Sequence, residues 1–543
     1  MAAIGKVLRD RLAAAFETVT GSTVDPVLRR SRHADFQADG ALALPGDRRE
    51  IAAAVARAAR LDDLCAKVEV AGPGFVNLTL ADAALDRMLA EAAADERLGV
   101  STVDPETVVV DYSGPNAAKE MHVGHLRSTV IGDAAVRVLE YLGHRVIRQN
   151  HLGDWGTNFG MLVEHYVDGG VIDESDLSAF YAAARRRFEA DEAFRERARR
   201  RVILLQGGDA DTIALWRSLV GVSRRYLLGV YDRLGVRLRE GDFAGESTYN
   251  AELDGIVAHL RERGLLRVSD GAECAFPAGF ATRDGAPLPL IVRKADGGYG
   301  YAATDLAALR YRVEELKATR LLYVVGAPQR QHLAMVFAVA EAAGWLAPPV
   351  RAQHVAFGSM LGTDGKMLRS RTGGAIRLTE LLDEAVTRAG AAEVGMGALK
   401  YADLSTDRIK DHVFDFDRML ALTGDTGPYL QYAHVRTRSI IRKGGAEAAG
   451  GAFAVADPAE HALAVELLGF PGVVEHVGET LEFHRLTGYL YGLATAFTAF
   501  FERCSVLRAP EPARGGRLAL CHLTARTLRT GLDLLGIEAP ERM

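Results

Sequence analysis

The chain has 543 residues, of which 48% are hydrophobic and 25% charged, and its formal net charge is −6 at pH 7. This composition is typical of a globular protein, and the length predicts three or four domains with separate hydrophobic cores. The acidic balance argues against a uniformly basic nucleic-acid binder, so a nucleic-acid partner would have to meet local basic faces.

The cysteines and the hydropathy pattern bear on location. The four cysteines are scattered without C-x-x-C spacing, which argues against a zinc site or a disulfide framework and favours a reducing compartment. No run of eighteen apolar residues occurs, and no apolar segment follows a basic start. We therefore predict a cytoplasmic protein with no membrane span and no structural metal.

Residues 1–105 are predicted to form a small α/β domain. Helical patterns cover Ile4 to Val19, Asp47 to Leu61 and Ala81 to Leu89, and strand patterns cover Val68 to Val70 and Phe75 to Leu80. A Gly-Pro-Gly turn separates the two strands. Nothing here is catalytic on its face, and composition alone is satisfied by a packing domain.

The segment around which the chain is organised follows at residues 107–142. Thr107 to Tyr112 is a β-branched run typical of a buried strand, and Ser113 to Gly124 is a loop with helix-breaking residues. A helix begins near His125 and ends before Gly143. A strand, a loop and a helix N-terminus can bind phosphate through free backbone N–H groups and the helix dipole.

The loop contains His122-Val123-Gly124-His125, which allows three interpretations. Two histidines at i and i+3 can share a metal ion, but no further ligand cluster accompanies them. A pair of ordinary loop histidines is the plain alternative. The third interpretation is nucleotide binding, in which Gly124 lets adenine lie against bare backbone and both imidazoles donate to phosphate oxygens.

Residues 106–378 are predicted to form a Rossmann-like domain, interrupted at about 161–285 by a mostly helical insertion. In the insertion, Ala182 to Arg201 has mixed charge and few apolar residues, which indicates one solvated helix with i,i+4 pairs. Strands and helices alternate again from Leu288. This alternation predicts a parallel sheet with its ligand at the carboxyl ends of the strands.

The second half of that sheet is expected from five segments. They are strands at Leu288 to Arg293, Arg320 to Gly326 and Val350 to Gly358, and helices at Asp305 to Leu316, capped by Thr304, and Gln331 to Trp345. A Gly-rich loop with cationic side chains, Gly358 to Gly374, comes next. It is either a solvated turn or a mobile flap whose cations, Lys366 and Arg369 among them, neutralise departing pyrophosphate.

Residues 379–543 are predicted to form an all-α helical bundle. Five aromatic or cationic side chains lie close together in its first part. They are Tyr429, Tyr432, His434, Arg436 and Arg438. Such residues can stack on bases and bind phosphate, although a helix-packing face is the simpler explanation from the residues alone.

Two motifs resemble those of arginyl-tRNA synthetases, which are class I aminoacyl-tRNA synthetases. They are PNAAKEMHVGHLRST at residues 115–129 and NHLGDWGTNFG at residues 150–160. The resemblance extends from DFQADGAL near residue 35 to the C-terminal GIEAPERM. It implies that the N-terminal domain touches the elbow of tRNA and that the C-terminal bundle binds the anticodon.

The resemblance also implies roles for site residues. Class I enzymes carry a K-M-S-K-S loop where this chain has Lys366-Met367-Leu368-Arg369-Ser370, so Arg replaces the second Lys. In arginyl enzymes that depart from the pattern, a Lys before the first signature histidine supplies charge, and Lys119 fits that role. The implied catalytic and ATP-binding set is Asn116, Lys119, His122, Gly124, His125, Lys366 and Arg369.

The amino-acid pocket needs fixed anions, because a planar guanidinium is best held by carboxylates. Asp111 ends the first strand of the predicted sheet. Asp305 follows Tyr301 by four residues, so their side chains share one helix face if the helix predicted from Asp305 extends back to Tyr301. Burying both carboxylates without a cationic ligand would be costly. By resemblance, the arginine-binding set is Asp111, Ser113, Asn116, Tyr301, Asp305 and Gln329.

The predicted function is arginine–tRNA ligation by a monomer. L-Arginine and Mg-ATP would form arginyl-adenylate, and the arginyl group would pass to the 3′-terminal adenosine of tRNA(Arg). The resemblance implies that activation requires bound tRNA. Two alternatives are a nucleotidyltransferase that uses the same histidine loop on a small substrate, and a tRNA-binding paralogue that has lost catalysis.

Overall fold

The structure is a computed structural model and describes residues 4–172, 177–368, 376–445 and 452–543. The chain forms two compact units, one made of Met1–Val103 with Met419–Met543 and the other of Asp104–Arg418. The predicted fold class is confirmed, with a mixed α/β N-terminal region, a parallel-sheet core and a helical C-terminal region.

The N-terminal region folds as helices on an antiparallel sheet. Its elements are α1 (Ile4–Thr20), β1 (Leu28–Arg30), β2 (Phe36–Ala38), α2 (Arg48–Ala58), β3 (Cys65–Ala71), β4 (Phe75–Leu80) and α3 (Asp82–Ala94). The strand order is β1-β2-β4-β3. Helix α1 buries Leu8, Leu12 and Phe16 at four-residue spacing, as its amphipathic pattern predicts. Gly72 and Gly74 supply the positive φ angles of the β3–β4 turn.

In the described part of the second unit, nine strands and eleven α-helices are present. Its strands are β5 (Thr107–Asp111), β6 (Arg145–Gln149), β7 (Leu266–Ser269), β8 (Ala272–Ala275), β9 (Leu290–Arg293), β10 (Arg320–Tyr323), β11 (Arg351–His354), β12 (Met360–Leu361) and β13 (His412–Val413). Its helices are α4 (Val123–Tyr141), α5 (Thr157–Val167), α6 (Leu177–Ala190), α7 (Glu192–Gln206), α8 (Ala210–Leu234), α9 (Leu253–Glu262), α10 (Tyr301–Glu314), α11 (Arg330–Ala342), α12 (Leu378–Ala389), α13 (Ala392–Leu404) and the short α14 (Phe416–Met419) at its end.

The central sheet is parallel and has the order β11-β10-β5-β6. Val108, Val109 and Val110 of β5 are fully buried, as expected of a strand covered on both faces. Asp111 is in register with Tyr323 on one side and Gln149 on the other. The carboxyl ends of these strands therefore meet at one edge, where an open α/β sheet places its ligand.

Three details of the predicted elements are wrong. The strand predicted from Leu288 does not join the parallel sheet, because β9 pairs antiparallel with β8 in a separate sheet of order β7-β8-β9. The mixed-charge run is two helices, because Asp191 ends α6 and caps α7 by accepting from the Phe194 N–H. Helix α10 begins at Tyr301 with Gly300 as its N-cap, so Thr304 lies inside the helix.

The C-terminal region is helical from Met419 onward, whereas residues 379–418 of the predicted bundle belong to the second unit and include the strand β13. Its helices are α15 (Gly427–Lys443), α16 (Pro458–Leu467), α17 (Phe470–Thr480), α18 (Phe483–Arg503) and α19 (Ala513–Leu534). Within the same unit, His461 of α16 lies between two N-terminal carboxylates. Its Nδ1 is 2.7 Å from Asp82 and its Nε2 is 3.0 Å from Asp35. Across the described ranges, no helix is both long and apolar enough to cross a bilayer.

Candidate active site

A cavity of about 480 Å³ lies at the carboxyl edge of the parallel sheet, within the second unit. It is lined by the end of β5, the first turn of α4, the start of α10 and residues that follow β10. A cavity of this size suits a small molecule with several functional groups. Seven of the predicted site residues line it. They are Asp111, Ser113, Gly124, His125, Tyr301, Asp305 and, from the turn before α11, Gln329.

The signature histidines are held by the backbone of the helix that they begin. His122 is the N-cap of α4, and its Nδ1 accepts from the Gly124 N–H at 3.1 Å. In return, the His122 N–H donates to Nδ1 of His125 at 3.0 Å, so the two side chains form a reciprocal capping box. Because Nδ1 of both rings accepts, the proton of each neutral imidazole lies on Nε2. Each Nε2–H is left to donate to a ligand.

Burial keeps both imidazoles neutral. Burial lowers the pKa of His125 to about 3, with a smaller contribution from His122. Burial also lowers the pKa of His122, and the Lys119 ammonium acts in the same direction. The pair can therefore supply two neutral hydrogen-bond donors at neutral pH, next to the positive end of α4.

Gly124 is required by the histidine beside it. A Cβ at this position would lie 2.8 Å from Cε1 of His122, and the ring centroids of His122 and His125 are only 4.0 Å apart. A side chain here would displace the first histidine from its capping position. The structure thus gives a second reason for a glycine at this position, besides the predicted contact between adenine and bare backbone.

Asp111 is paired with a cation from its own chain. Arg312 of α10, with 1% of its side chain exposed, donates from Nη2 to Asp111 Oδ2 at 2.8 Å. Nε of the same guanidinium donates to Gln149 Oε1 at 2.6 Å. Asp111 therefore does not need a cationic ligand to be buried, contrary to the argument from sequence. Its Oδ1 accepts from the His151 N–H at 3.4 Å and has a second lone pair for a further donor.

Tyr301 and Asp305 lie on one face of α10, because the helix reaches back to Tyr301. Tyr301 is 77% exposed, which leaves its ring available at the cavity mouth. Asp305 Oδ2 accepts from His332 Nε2 at 2.6 Å, and this hydrogen bond raises the pKa of His332. The remaining oxygen of Asp305 is available to a further donor.

Glu246 is a cavity residue that the sequence reasoning missed. It lies inside the predicted insertion, after helix α8, in the stretch FAGESTYN, where no periodicity or motif distinguishes it. Burial raises its pKa to about 7, and the nearby carboxylates of Asp154 and Asp305 add to the effect. A carboxyl group held near its titration point by burial is stabilised in its charged form when a cation binds beside it. Glu246 and Asp305 together suit a guanidinium.

The other predicted site residues have different surroundings. Ser113 has a φ of +73°, and its Oγ lies 2.7 Å from the Tyr231 hydroxyl. Asn116 is exposed, and its side chain lies against Gly153. A Cβ on Gly153 would lie 2.2 Å from Oδ1 of Asn116. Lys119 Nζ lies 4.2 Å from the centroid of the Tyr181 ring, and neither Asn116 nor Lys119 lines the cavity.

The predicted flap, Gly358 to Gly374, includes a hairpin of residues 360–368. The Gly362 N–H donates to the Lys366 carbonyl at 2.8 Å, and the Leu368 N–H donates to the Met360 carbonyl at 3.2 Å. Lys366 is exposed near the tip, where its cation can meet a phosphate. Arg369 lies outside the described residues.

The five predicted RNA-contacting residues all lie on α15, but their environments differ. His434 is 1% exposed, and its Nδ1 donates to the Pro540 carbonyl at 3.0 Å, so it packs against the C-terminal segment and presents no surface to RNA. Arg438 pairs with Glu541 at 2.8 Å. The four residues other than His434 remain predictions. They are Tyr429, Tyr432, Arg436 and Arg438.

Three family models match the chain. The model for tRNA synthetases class I (R), catalytic domain, matches residues 88–393, the DALR anticodon binding domain matches residues 430–543, and the arginyl tRNA synthetase N terminal domain matches residues 2–80. The parallel sheet, the histidine loop at its carboxyl edge and the first of these models define a class I aminoacyl-tRNA synthetase.

Relatives of known name match the chain over its whole length. The arginine–tRNA ligase of Thermobifida fusca is 52% identical over 99% of both chains, and that of Synechococcus elongatus is 46% identical over 100% of both. Among solved structures, the arginyl-tRNA synthetase of Plasmodium falciparum covers 100% of both chains with a TM-score of 0.86 and 27% identity. That of Thermus thermophilus covers 99% of this chain and 100% of its own, with a TM-score of 0.84 and 26% identity. The chain belongs to the arginyl-tRNA synthetase family.

Proposed function

We propose that the protein is an arginine–tRNA ligase that activates L-arginine with Mg-ATP and transfers it to tRNA(Arg). The observation that carries this proposal is the joint placement of two carboxyl groups, Asp305 and Glu246, and the signature histidine His125 around one cavity. The carboxyl groups suit a guanidinium, and the histidine suits a phosphate. Membership of the family leaves the nucleotidyltransferase alternative without support.

The first step joins arginine to AMP. A carboxylate oxygen of arginine attacks the α-phosphorus of ATP in line, a new P–O bond forms, and the bond to the departing pyrophosphate breaks. No side chain acts as a covalent nucleophile. Nε2–H of His122 and His125 donate to phosphate oxygens as negative charge builds, and Lys366, with Arg369 and Lys119, neutralises the pyrophosphate.

The second step transfers the arginyl group. The 2′-hydroxyl of the 3′-terminal adenosine attacks the carbonyl carbon of arginyl-adenylate, the hydroxyl proton is released, and AMP leaves. Activation requires bound tRNA. Substrate selection needs no editing domain, because a ligand without a guanidinium leaves the pocket carboxylates unpaired.

The tRNA contacts are divided between the two ends of the chain. Residues 1–105 contact the tRNA elbow, and residues 106–378 hold the chemistry together with residues 379–418 of the same compact unit. The helices after Arg418, the larger part of the predicted 379–543 domain, bind the anticodon, with Tyr429, Tyr432, Arg436 and Arg438 among the candidate contacts. The family models for the terminal regions support this division. The protein acts as a cytoplasmic monomer.

ATP–pyrophosphate exchange tests the proposal. It is measured with each amino acid, with and without unfractionated tRNA. Exchange with arginine alone, and only when tRNA is present, is the expected result. Exchange with arginine in the absence of tRNA would remove the coupling and keep the ligase. No exchange from folded protein that still binds tRNA would favour the inactive paralogue.

A further inference from the structure

We call the segment His122–His125 the signature loop. Just after it, helix α4 carries a buried arginine. Arg127 is 1% exposed, and its Nε donates to Asp403 Oδ1 at 2.6 Å. Its Nη1 donates to two backbone carbonyls, those of Gly358 at 2.8 Å and Lys410 at 3.0 Å. One side chain thus joins the signature helix to three segments distant in sequence.

Gly358 stands where the chain enters the hairpin that carries Lys366. The packing there is close, because a Cβ on Gly358 would lie 2.5 Å from the Lys410 carbonyl oxygen. The Ser359 N–H donates to Asp411 Oδ1 at 2.6 Å, and the strand of residues 360–361 pairs with His412 and Val413. The entry to the hairpin is therefore fixed on the same backbone that Arg127 holds.

The segment beyond the hairpin is attached to the signature loop itself. The Val123 N–H donates to the Ile376 carbonyl at 3.0 Å, and the Leu378 N–H donates to the Met121 carbonyl at 2.8 Å. Beside them, Arg377 Nε lies 3.2 Å from Oε2 of Glu120, whose side chain is 3% exposed. Both sides of the Lys366 hairpin are thus joined to the element that begins with the signature histidines.

The chemistry of the Arg127 contact points to a geometric role. Its ion pair with Asp403 has side-chain exposures of 1% and 0%. A fully buried ion pair adds little net stability compared with apolar packing, because both charges lose their hydration. A guanidinium, however, fixes three acceptors at set angles, which an apolar side chain or an ammonium cannot do.

We propose that Arg127 is a positioning residue for adenylate formation, setting the distance between the donors of the signature loop and the hairpin that carries Lys366. The inference rests on the proposed function, since it assumes that both elements act on the phosphates of ATP. Arg127 reaches the reaction through these elements and does not touch the substrate. Arg377 has the corresponding role on the other side of the hairpin.

Steady-state pyrophosphate exchange with arginine and tRNA tests the proposal, using Arg127→Lys and Arg377→Gln. A lysine Nζ cannot occupy the positions of both Nε and Nη1, so Arg127→Lys frees either Asp403 or the carbonyls. We expect kcat to fall at least tenfold for Arg127→Lys and at least threefold for Arg377→Gln. The KM for arginine and the dissociation constant for tRNA should stay within twofold.

Arg137→Lys is the matched control. Arg137 lies on the same helix, its Nε donates to Asp133 at 2.7 Å, and its Nη2 donates to the Gly235 carbonyl at 3.0 Å, so the same bond types are lost away from the hairpin. We expect its kcat to stay within twofold of the wild-type value. A tenfold fall in the control would overturn the proposal, because loss of any such pair on α4 would then be sufficient.

Two further results would overturn the proposal. One is an unchanged kcat in folded Arg127→Lys, whatever the result for Arg377→Gln. The other is a fall in kcat accompanied by an equal weakening of arginine and tRNA binding, which indicates general structural damage. If circular dichroism shows that Arg127→Lys does not fold, the Arg377→Gln result decides. Absence of exchange in the wild-type protein would refute the proposed function, whereas these variants test positioning relative to wild type.

Discussion

Replacing Glu246 by Gln tests the amino-acid pocket most directly. Glu246 lines the cavity with Asp305, and burial raises its pKa from an ordinary 4.5 to about 7. An elevation of that size corresponds to roughly 3 kcal/mol in favour of the neutral carboxyl group. A bound guanidinium would oppose this effect, because an adjacent cation favours the carboxylate.

The expected size of the effect follows from that pairing. Glutamine keeps the shape of the side chain and one acceptor oxygen but loses the charge. A hydrogen bond to a charged group contributes about 1.5–3 kcal/mol, so the KM for arginine should rise roughly 10- to 150-fold. The KM for ATP should not change, because Glu246 lies with the cavity carboxylates and not in the signature loop.

The pH dependence gives a second measurement on the same variant. Below pH 7 the wild-type Glu246 is largely protonated, so the KM for arginine should fall as the pH rises from 6 to 8. Arginine stays cationic over this range, so its own guanidinium does not contribute to the change. The Gln variant has no carboxyl group at this position and should lose that part of the pH dependence.

Glu252→Gln is the control for Glu246→Gln. Glu252 is exposed, lies six residues further along the same segment and does not line the cavity. Its KM for arginine should equal the wild-type value in the exchange assay. If Glu246→Gln also keeps the wild-type KM and pH profile, Glu246 does not contact the guanidinium, and the pocket assignment is refuted.

Three other predictions test separate parts of the molecule. His122→Ala and His122→Asn should both lower kcat for exchange at least 100-fold by removing the Nε2–H donor. Only the Ala variant should also lose about 1 kcal/mol of unfolding free energy in a urea titration, since Asn keeps an N-cap acceptor. Full exchange activity in His122→Asn would exclude a role for His122 as a hydrogen-bond donor. Asp305→Ala should raise the KM for arginine about 50-fold and leave that for ATP unchanged, and the reverse pattern would misplace the pocket. The pKa of His461 is raised to about 9, mainly by its hydrogen bond to Asp35. The protonated imidazole therefore stabilises the fold fully below about pH 6.5, and this stabilisation is lost as the pH rises through 9. The melting temperature of His461→Gln should therefore differ from wild type at pH 6.5 and converge with it at pH 10; an equal difference at both values would contradict the titration.

Local sequence patterns predicted much of the architecture. The β-branched run before the signature loop formed the buried strand β5, and the apolar stripe after it formed α4, because periodicity reports directly which faces are buried. Element boundaries were less accurate. Thr304 has the chemistry of an N-cap, yet α10 begins at Tyr301 with Gly300 as its N-cap, so side-chain capping chemistry alone did not locate the start of the helix.

The same limit applied to strand pairing. The pattern of Leu288 to Arg293 identified a strand but not its partner, and β9 pairs with β8 and not with the parallel sheet. Pairing depends on which backbone groups meet in space. A strand pattern of six residues carries no information about that.

The sequence alone was enough to find the signature loop, and its resemblance to arginyl-tRNA synthetases at residues 115–129 and 150–160 implied the class of enzyme and the carboxylates Asp111 and Asp305 as pocket candidates. Only the tertiary structure decided how each charge is balanced. It paired Asp111 with Arg312, 201 residues away, and it brought Glu246 into the cavity beside Asp305. It also buried His434 against Pro540. Burial and ion pairing act through space, so residues far apart along the chain decide whether a given carboxylate or imidazole is free to bind a substrate.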